Sequence, residues 1–207
     1  GVILDRLGVH GGKIGIYGTG ENNQVLAMVD LLREAYPQYQ FVGEAGSTLF
    51  DQAALTKSLD ELSRIKSVAD RTNAVLEATW NFISGHDVVE EVVMKDNITP
   101  LTIGDVRRFV RRALLERELE DTGMIFAQGR DGGFPHSRGQ DEMALQLGQP
   151  IVFDLFPREL GGGYHHDVTR TWCIGYAPEA VHDLYQQVIT AFDIAVESYG
   201  INKPTHL

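Results

Sequence analysis

The chain has 207 residues, a formal net charge of −11 and 43% hydrophobic residues. That length and apolar content suit one large globular domain or a domain and a half, and exclude a disordered chain. The acidic balance disfavours nucleic acid and anionic membrane surfaces as partners, and no apolar run reaches the ~20 residues of a membrane helix.

The segment 12–23, GKIGIYGTGENN, reads as a short strand, a glycine turn and a helix start. Its glycines at 12, 15, 18 and 20 match neither G-x-G-x-x-G nor a P-loop, so a plain turn is expected. Asn22 or Asn23 is expected to cap a helix with Val25, Leu26, Val29, Leu32 and Ala35 on one face, ended by Pro37. A second strand follows at 40–45, which makes an α/β unit. Ser58 with Glu61 has the form of a capping box. It opens a long helix with Leu59, Leu62, Ile65, Ala69, Thr72, Leu76, Thr79 and Ile83 at three- and four-residue steps, stopped by Gly85. A domain boundary falls near Leu55, giving domains 1–55 and 56–207.

Thr102 with Asp105 opens another helix, with Val106, Phe109, Val110, Ala113 and Leu114 facing inward. Its Arg107, Arg108, Arg111 and Arg112 read as a solvated charged face, balanced by the acids that follow. From Met124 the character changes to short strands: MIFAQG, PIVFD, GYHHDVT and TWCIGY. Pro178 then starts a last helix whose apolar face carries Val181, Leu184, Tyr185, Val188, Phe192, Ala195 and Val196, with Gly200 as its C-cap. The one cysteine, Cys173, rules out an internal disulfide framework and fits a cytoplasmic setting.

The chemistry is concentrated in residues 153–171, FDLFPRELGGGYHHDVTRT. Asp154 ends an apolar strand, where a carboxylate is costly to desolvate unless something positive or donating meets it. Asp167 stands on the far side of the glycines 161–163. If the two strands pair as a hairpin, both carboxylates point into one site. Two such groups repel, and either one takes a proton or a divalent cation sits between them. Mn²⁺, Co²⁺ and Zn²⁺ accept carboxylate oxygen with imidazole support. The plainer alternative makes both aspartates turn residues, bonded to backbone or to Arg170. His136, in GFPHSRGQDE, is a candidate histidine, with polar surface as its plain alternative. His165 and His166 are adjacent, so at most one faces a metal from a regular strand.

The segments PHSRG, GQPIVFDLFPRELGGGYHHDVTRTWCIG and APEAVHDLYQQVITAFDIAV resemble the metallopeptidase family with the pita-bread fold, which includes aminopeptidase P, prolidase, methionine aminopeptidase and creatinase. LDELSRIKSVAD resembles the entry to that domain in the aminopeptidase P, prolidase and creatinase branch. The resemblance implies an α+β fold: the first half of a pita-bread domain preceded by part of a small α/β N-terminal domain. It implies two divalent ions (Mn, Co or Zn), with Asp154 and Asp167 as the first two metal ligands and Asp167 bridging. It makes His136 the catalytic histidine near the scissile bond, and Arg170 a supporting residue that holds the second carboxylate or a neighbouring loop. The implied activity is a metal-dependent exopeptidase of Xaa-Pro aminopeptidase or dipeptidase type, acting on peptides, proline-containing ones among them, through a metal-activated water. A homodimer is compatible with it; nucleic acid and membrane are not expected.

The pattern departs from the family in three places. Phe156 stands where glycine is usual, the loop between the aspartates is longer by about two residues, and His166 precedes Asp167. The family's further histidine and two glutamates have no counterpart before Leu207, so the reading is a chain truncated at both ends that carries two of the expected ligands and binds metal weakly or not at all by itself. The alternatives are a non-catalytic pita-bread module that binds peptides or proteins, and a creatinase-like metal-free hydrolase.

Overall fold

The computed structural model describes residues 2–200. The chain divides into two units, Gly1–Ser58 and Leu59–Leu207.

The first unit carries α1 (Val2–Arg6), β1 (Gly12–Gly15), α2 (Asn22–Ala35), β2 (Tyr39–Val42) and α3 (Leu49–Ala53). β1 and β2 pair in parallel from Gly12↔Tyr39 to Gly15↔Val42, with α2 as the crossover that parallel strands require. The N-cap of α2 is Glu21, with no side-chain cap bond, so neither Asn22 nor Asn23 takes the expected capping place; both lie inside the helix. The short helices α1 and α3 lack the periodic apolar run that marks a longer helix, and the sequence reading passed over them. α3 is held by a capping box between Thr48 and Asp51.

The second unit contains α4 (Leu59–Ser84), β3 (Asp87–Val89), β4 (Val92–Met94), α5 (Ile103–Leu115), β5 (Leu119–Glu120), β6 (Met124–Gln128), a 3₁₀ turn over Gly129–Gly133, β7 (Pro150–Leu155), β8 (Arg158–Glu159), β9 (Val168–Cys173) and α6 (Glu179–Ser198). The centre is an antiparallel sheet of order β6-β7-β9. One face is covered by α4 and α5: Val68, Val75, Leu76 and Ile83 from α4, and Ile103, Val106, Val110 and Leu114 from α5, pack with Phe126, Ile151, Phe153 and Leu155 in one buried cluster. Burying such side chains stabilises by about 1.5–3 kcal/mol each. Three edge-on ring contacts, Phe126–Phe153, Phe153–Trp172 and Trp80–Trp172, at 5.2, 5.2 and 5.4 Å, tie the three strands to α4.

α5 begins as its sequence demands, with a reciprocal capping box between Thr102 and Asp105. Its charged face differs from expectation at one residue. Arg107 is buried, paired with Asp141, and its Nε and second terminal nitrogen have no partner among the described residues. Helical spacing puts position 107 one step from Val106, and the chain at Asp141 folds over it. The segments GYHHDVT and TWCIGY supply one strand, β9, and the hairpin β3–β4 is additional. α6 forms as expected, but its apolar face is not inward: none of its residues is buried, and Leu184, Val188 and Phe192 are exposed. Its C-cap is Tyr199 in an extended conformation, rather than Gly200. At the other end, Leu59 and Leu62 of α4 are exposed as well. Among the described residues no helix is long and apolar enough to cross a membrane.

Candidate active site

The site is built by the β7–β9 hairpin. Pairing runs from Pro150↔Cys173 through Asp154↔Thr169 to Leu155↔Val168, and the bridge Arg158↔His165 continues the same register towards the tip. Trp172 and Phe153 face the helices, and side chains alternate along a strand. Asp154, Thr169 and Thr171 are therefore on the opposite face, away from α4 and α5, and the same alternation carries Asp167 to that face. The core fixes this choice, because a one-residue slip would turn Trp172 and Val168 outward.

On that face Asp154 and Asp167 are diagonal neighbours. Thr169 donates its hydroxyl to Asp154 Oδ1 at 2.7 Å. The pKa of Asp167 is raised, first by burial, then by the charge of Asp154 and a hydrogen bond between the two carboxyls, with His166 acting in the opposite sense. This is the electrostatics of two acids facing one site, and a cation between them would relieve it. Oxygen donors of this kind suit a hard or borderline divalent cation. The fit is partial: among the described residues no third His, Cys, Asp or Glu joins the pair as a metal-binding group.

The tip of the hairpin is held by a network that the sequence reading missed. Glu159 accepts from the Tyr164 N–H at 3.0 Å and from Arg64 of α4 at 2.6 Å, and Arg71 lies 3.8 Å from its other oxygen. These donors hold the Glu159 carboxyl below its usual range. The Tyr164 hydroxyl donates to Glu61, and the Arg64 guanidinium lies over the Tyr164 ring, 5.3 Å from its centre. The longer loop is thus anchored to α4, with Gly161, Gly162 and Gly163 at positive φ making the turn. The available signal was Arg64 on the outer side of a helix whose inner side was already assigned.

His136 lies in the loop after the 3₁₀ turn, exposed, with φ +62°. That loop is pressed onto the sheet: a Cβ on Gly132 would stand 3.3 Å from Val152 Cγ2, and one on Gly139 would stand 2.5 Å from the Phe126 carbonyl oxygen. Val152 shares the face of Asp154, so Gly132 and Gly139 rest on the sheet at Ala127 and Val152, and His136 lies exposed in the segment between them. Of the two supporting roles expected of Arg170, holding the second carboxylate is not the one its position suits. It pairs with Phe153 on the opposite face and donates to the Thr169 carbonyl at 2.8 Å, so it does not hold the second carboxylate. His166 is on that opposite face too, its N–H bonded to the Pro157 carbonyl at 3.0 Å, whereas the exposed His165 shares the face of Asp167.

Phe156 lies opposite Asp167 in the hairpin register. Its ring leans the other way, onto β6: a Cβ on Gly123 would lie 2.8 Å from Cε2. The Thr122 hydroxyl donates to the Phe156 carbonyl. Gly123 itself donates to Asp121 at 2.9 Å, and Asp121 accepts from Arg111 at 2.9 Å.

Comparison with known proteins gives a family and a fold. The model of metallopeptidase family M24 matches residues 63–202. The structure is similar to that of an X-Pro aminopeptidase from Thermotoga maritima MSB8, with a TM-score of 0.67 at 18% identity, covering 95% of this chain and 49% of that one. It is similar to a Xaa-Pro dipeptidase from Bacillus anthracis, with a TM-score of 0.67 at 20% identity, covering 94% and 48%. A prolidase from Pyrococcus furiosus matches with a TM-score of 0.61 at 19% identity, covering 93% and 51%. The chain thus spans about half the length of these structures, and over that half it has their α+β pita-bread fold. No curated protein matches the chain.

Proposed function

The chain belongs to metallopeptidase family M24, and from that premise we propose that it serves a metal-dependent exopeptidase that cleaves peptides next to proline. The observation that carries the proposal is that Asp154 and Asp167 are diagonal neighbours on the face of the β7–β9 hairpin turned away from the helices, with Thr169 bonded to one of them. In this reading both carboxylates are metal ligands. When bound, the cations would supply a hydroxide at neutral pH by lowering the pKa of a coordinated water. Thr169 orients Asp154 by its hydroxyl bond and keeps one oxygen committed, leaving the other free to ligate. The core-fixed register keeps the carboxylates on one side, as a ligand pair requires. In this reading His136, on the loop between Gly132 and Gly139, would donate to the substrate oxygen as charge develops. The matched dipeptidase, aminopeptidase and prolidase are the reason for Xaa-Pro peptides as substrates.

The test uses the natural protein in which this chain occurs. Titration with Mn²⁺, Co²⁺ and Zn²⁺ is followed by thermal unfolding, and Xaa-Pro peptides are assayed before and after a chelator. Metal should raise the melting temperature, with about 2.7 kcal/mol of stabilisation expected at a hundredfold excess over Kd. Asp154→Asn and Asp167→Asn should abolish both that rise and cleavage. Metal-induced stabilisation that survives both substitutions would overturn the ligand assignment, and intact Xaa-Pro peptides with metal bound would overturn the activity.

A second reading, a peptide-binding module without turnover, is favoured by Phe156 at the position opposite Asp167. Peptide binding without hydrolysis in the metal-loaded protein would establish it.

A further inference from the structure

On the exopeptidase reading, we infer that Phe156 selects the substrate: its ring is an apolar wall beside the acid pair, and it receives an apolar side chain on the residue preceding proline. Met124↔Leu155 on one side and Leu155↔Val168 on the other place Phe156 between Gly123 and Asp167, on the face of Asp154. A ring in that position has two directions to lean. Towards β9 it would cover Asp167 and take carboxylate oxygen out of water, which is costly. Towards β6 it meets Gly123, where the absence of a side chain leaves bare backbone at φ +137°.

The structure shows the second arrangement. The ring lies where a Gly123 Cβ would be, 2.8 Å from Cε2 and 3.0 Å from Cζ. The ring also has fixed supports. Its carbonyl accepts from Thr122, and Gly123 is bonded through Asp121 to Arg111 of α5. An aromatic ring laid over a glycine at the end of a sheet restores packing that the missing side chain leaves out. The face that carries Asp154 and Asp167 thus also carries the hydrocarbon of Phe156, next to both in the register. A peptide whose scissile carbonyl is presented to the acids has its preceding side chain within reach of that hydrocarbon. A charged or absent side chain gains nothing there, and an aliphatic one gains the burial.

The experiment measures Leu-Pro, Gly-Pro and Asp-Pro on the natural protein loaded with Mn²⁺, by calorimetric binding and by cleavage with kcat and KM separated. Mn²⁺ affinity is measured independently. The expected result is a preference for Leu-Pro that falls about tenfold or more in Phe156→Ala, within the range for losing one apolar contact. Phe156→Leu should keep most of the preference, and Gly-Pro and Mn²⁺ affinities should be unchanged in both variants. Gly123→Ala, which forces the ring from its seat, should lower the Leu-Pro preference while Phe156 is still present. An equal Leu-Pro preference in Phe156→Ala overturns the inference, as does a wild type that prefers Gly-Pro, or a loss of Mn²⁺ affinity, which would make Phe156 part of the metal site. Selective binding of Leu-Pro without cleavage would overturn the exopeptidase reading alone and leave the role of the ring standing. Binding of none of the three would overturn both.

Discussion

Replacing Gly139 by alanine tests the placement of the loop that bears His136. Gly139 has φ +77°, and an alanine Cβ would stand 2.5 Å from the Phe126 carbonyl oxygen, 3.1 Å from Ala127 Cα and 3.3 Å from Phe126 C. The left-handed backbone costs an L-residue about 1–2 kcal/mol. The contact adds a second cost, because Phe126 and Ala127 are fully buried and their backbone cannot move away freely. Overpacking of this kind costs about 1–3 kcal/mol. Together these give about 2–5 kcal/mol, and each kcal/mol lowers Tm by about 2–4 °C in a domain of this size. Gly161→Ala is the control. Gly161 has nearly the same φ, +82°, with no atom within 4 Å of the added Cβ, so only the first cost applies. The assay is thermal and urea unfolding of both variants in the natural protein. Equal losses in the two would refute the reasoning, since the loop would then not be resting on β6. A larger loss at Gly139, with peptide cleavage reduced beyond the change in folded fraction, would place His136 through that contact.

Three further predictions rest on named groups. Burial acts to raise the pKa of Asp105, but the Lys95 ammonium, the Thr102 N–H and hydroxyl and the Arg108 guanidinium outweigh it and hold the carboxyl well below its usual range. Its folded-state pKa is below the unfolded one, so its stabilisation is complete above about pH 4 and is lost as pH falls further. Asp105→Asn should flatten the acid limb of the stability curve, and an unchanged limb would sink the assignment. Thr102→Ala should cost about 1 kcal/mol through the lost cap. Asp141→Ala leaves the buried Arg107 guanidinium without its counter-charge and should cost about 2–3 kcal/mol, the half-exposed Asp141 making it less than a fully buried pair. Arg107→Met removes charge and orphaned donors together and should cost less, and the double variant should match it in urea unfolding; an innocuous Asp141→Ala would contradict this. Glu159→Ala should release the hairpin tip, read as faster hydrogen exchange at the Tyr164 amide. In the wild type the protection factor of that amide, taken against its intrinsic rate at each pH, should fall as pH falls and Glu159, whose pKa is lowered, takes its proton; an amide equally protected in both cases would show that Glu159 is not the anchor.

The helices and strands were legible where a local rule acts alone. The capping box of Thr102 and Asp105 and the α4 positions Thr72, Leu76, Thr79 and Ile83 depend on neighbours three or four residues away, and they are as the sequence implies, whereas Val68 and Val75 of the same buried face were not picked out. The acid pair was legible in part. A continuous apolar run ending at Asp154, glycines at 161–163 and a second strand after Asp167 suggest a hairpin, but its register follows from what the other face buries. Thr169 could have been found by the same alternation, two residues after Asp167.

By itself, therefore, the sequence determined the longer helices, the β7–β9 hairpin and the presence of two carboxylates near its base, because propensity, capping and strand alternation are set by residues close in the chain. Only the tertiary structure decided which face those carboxylates take. Trp172 packs against Phe153 and Trp80, a contact across distant segments, and it turns Asp154 and Thr169 to the side away from the helices and Arg170 to the other. Long-range contact likewise buried Arg107 beneath Asp141, laid Phe156 on Gly123 and tied Tyr164 to Glu61. An apolar face on α6 and a charged face on α5 look alike to periodicity wherever they point, since periodicity states which residues share a side and burial depends on what stands opposite.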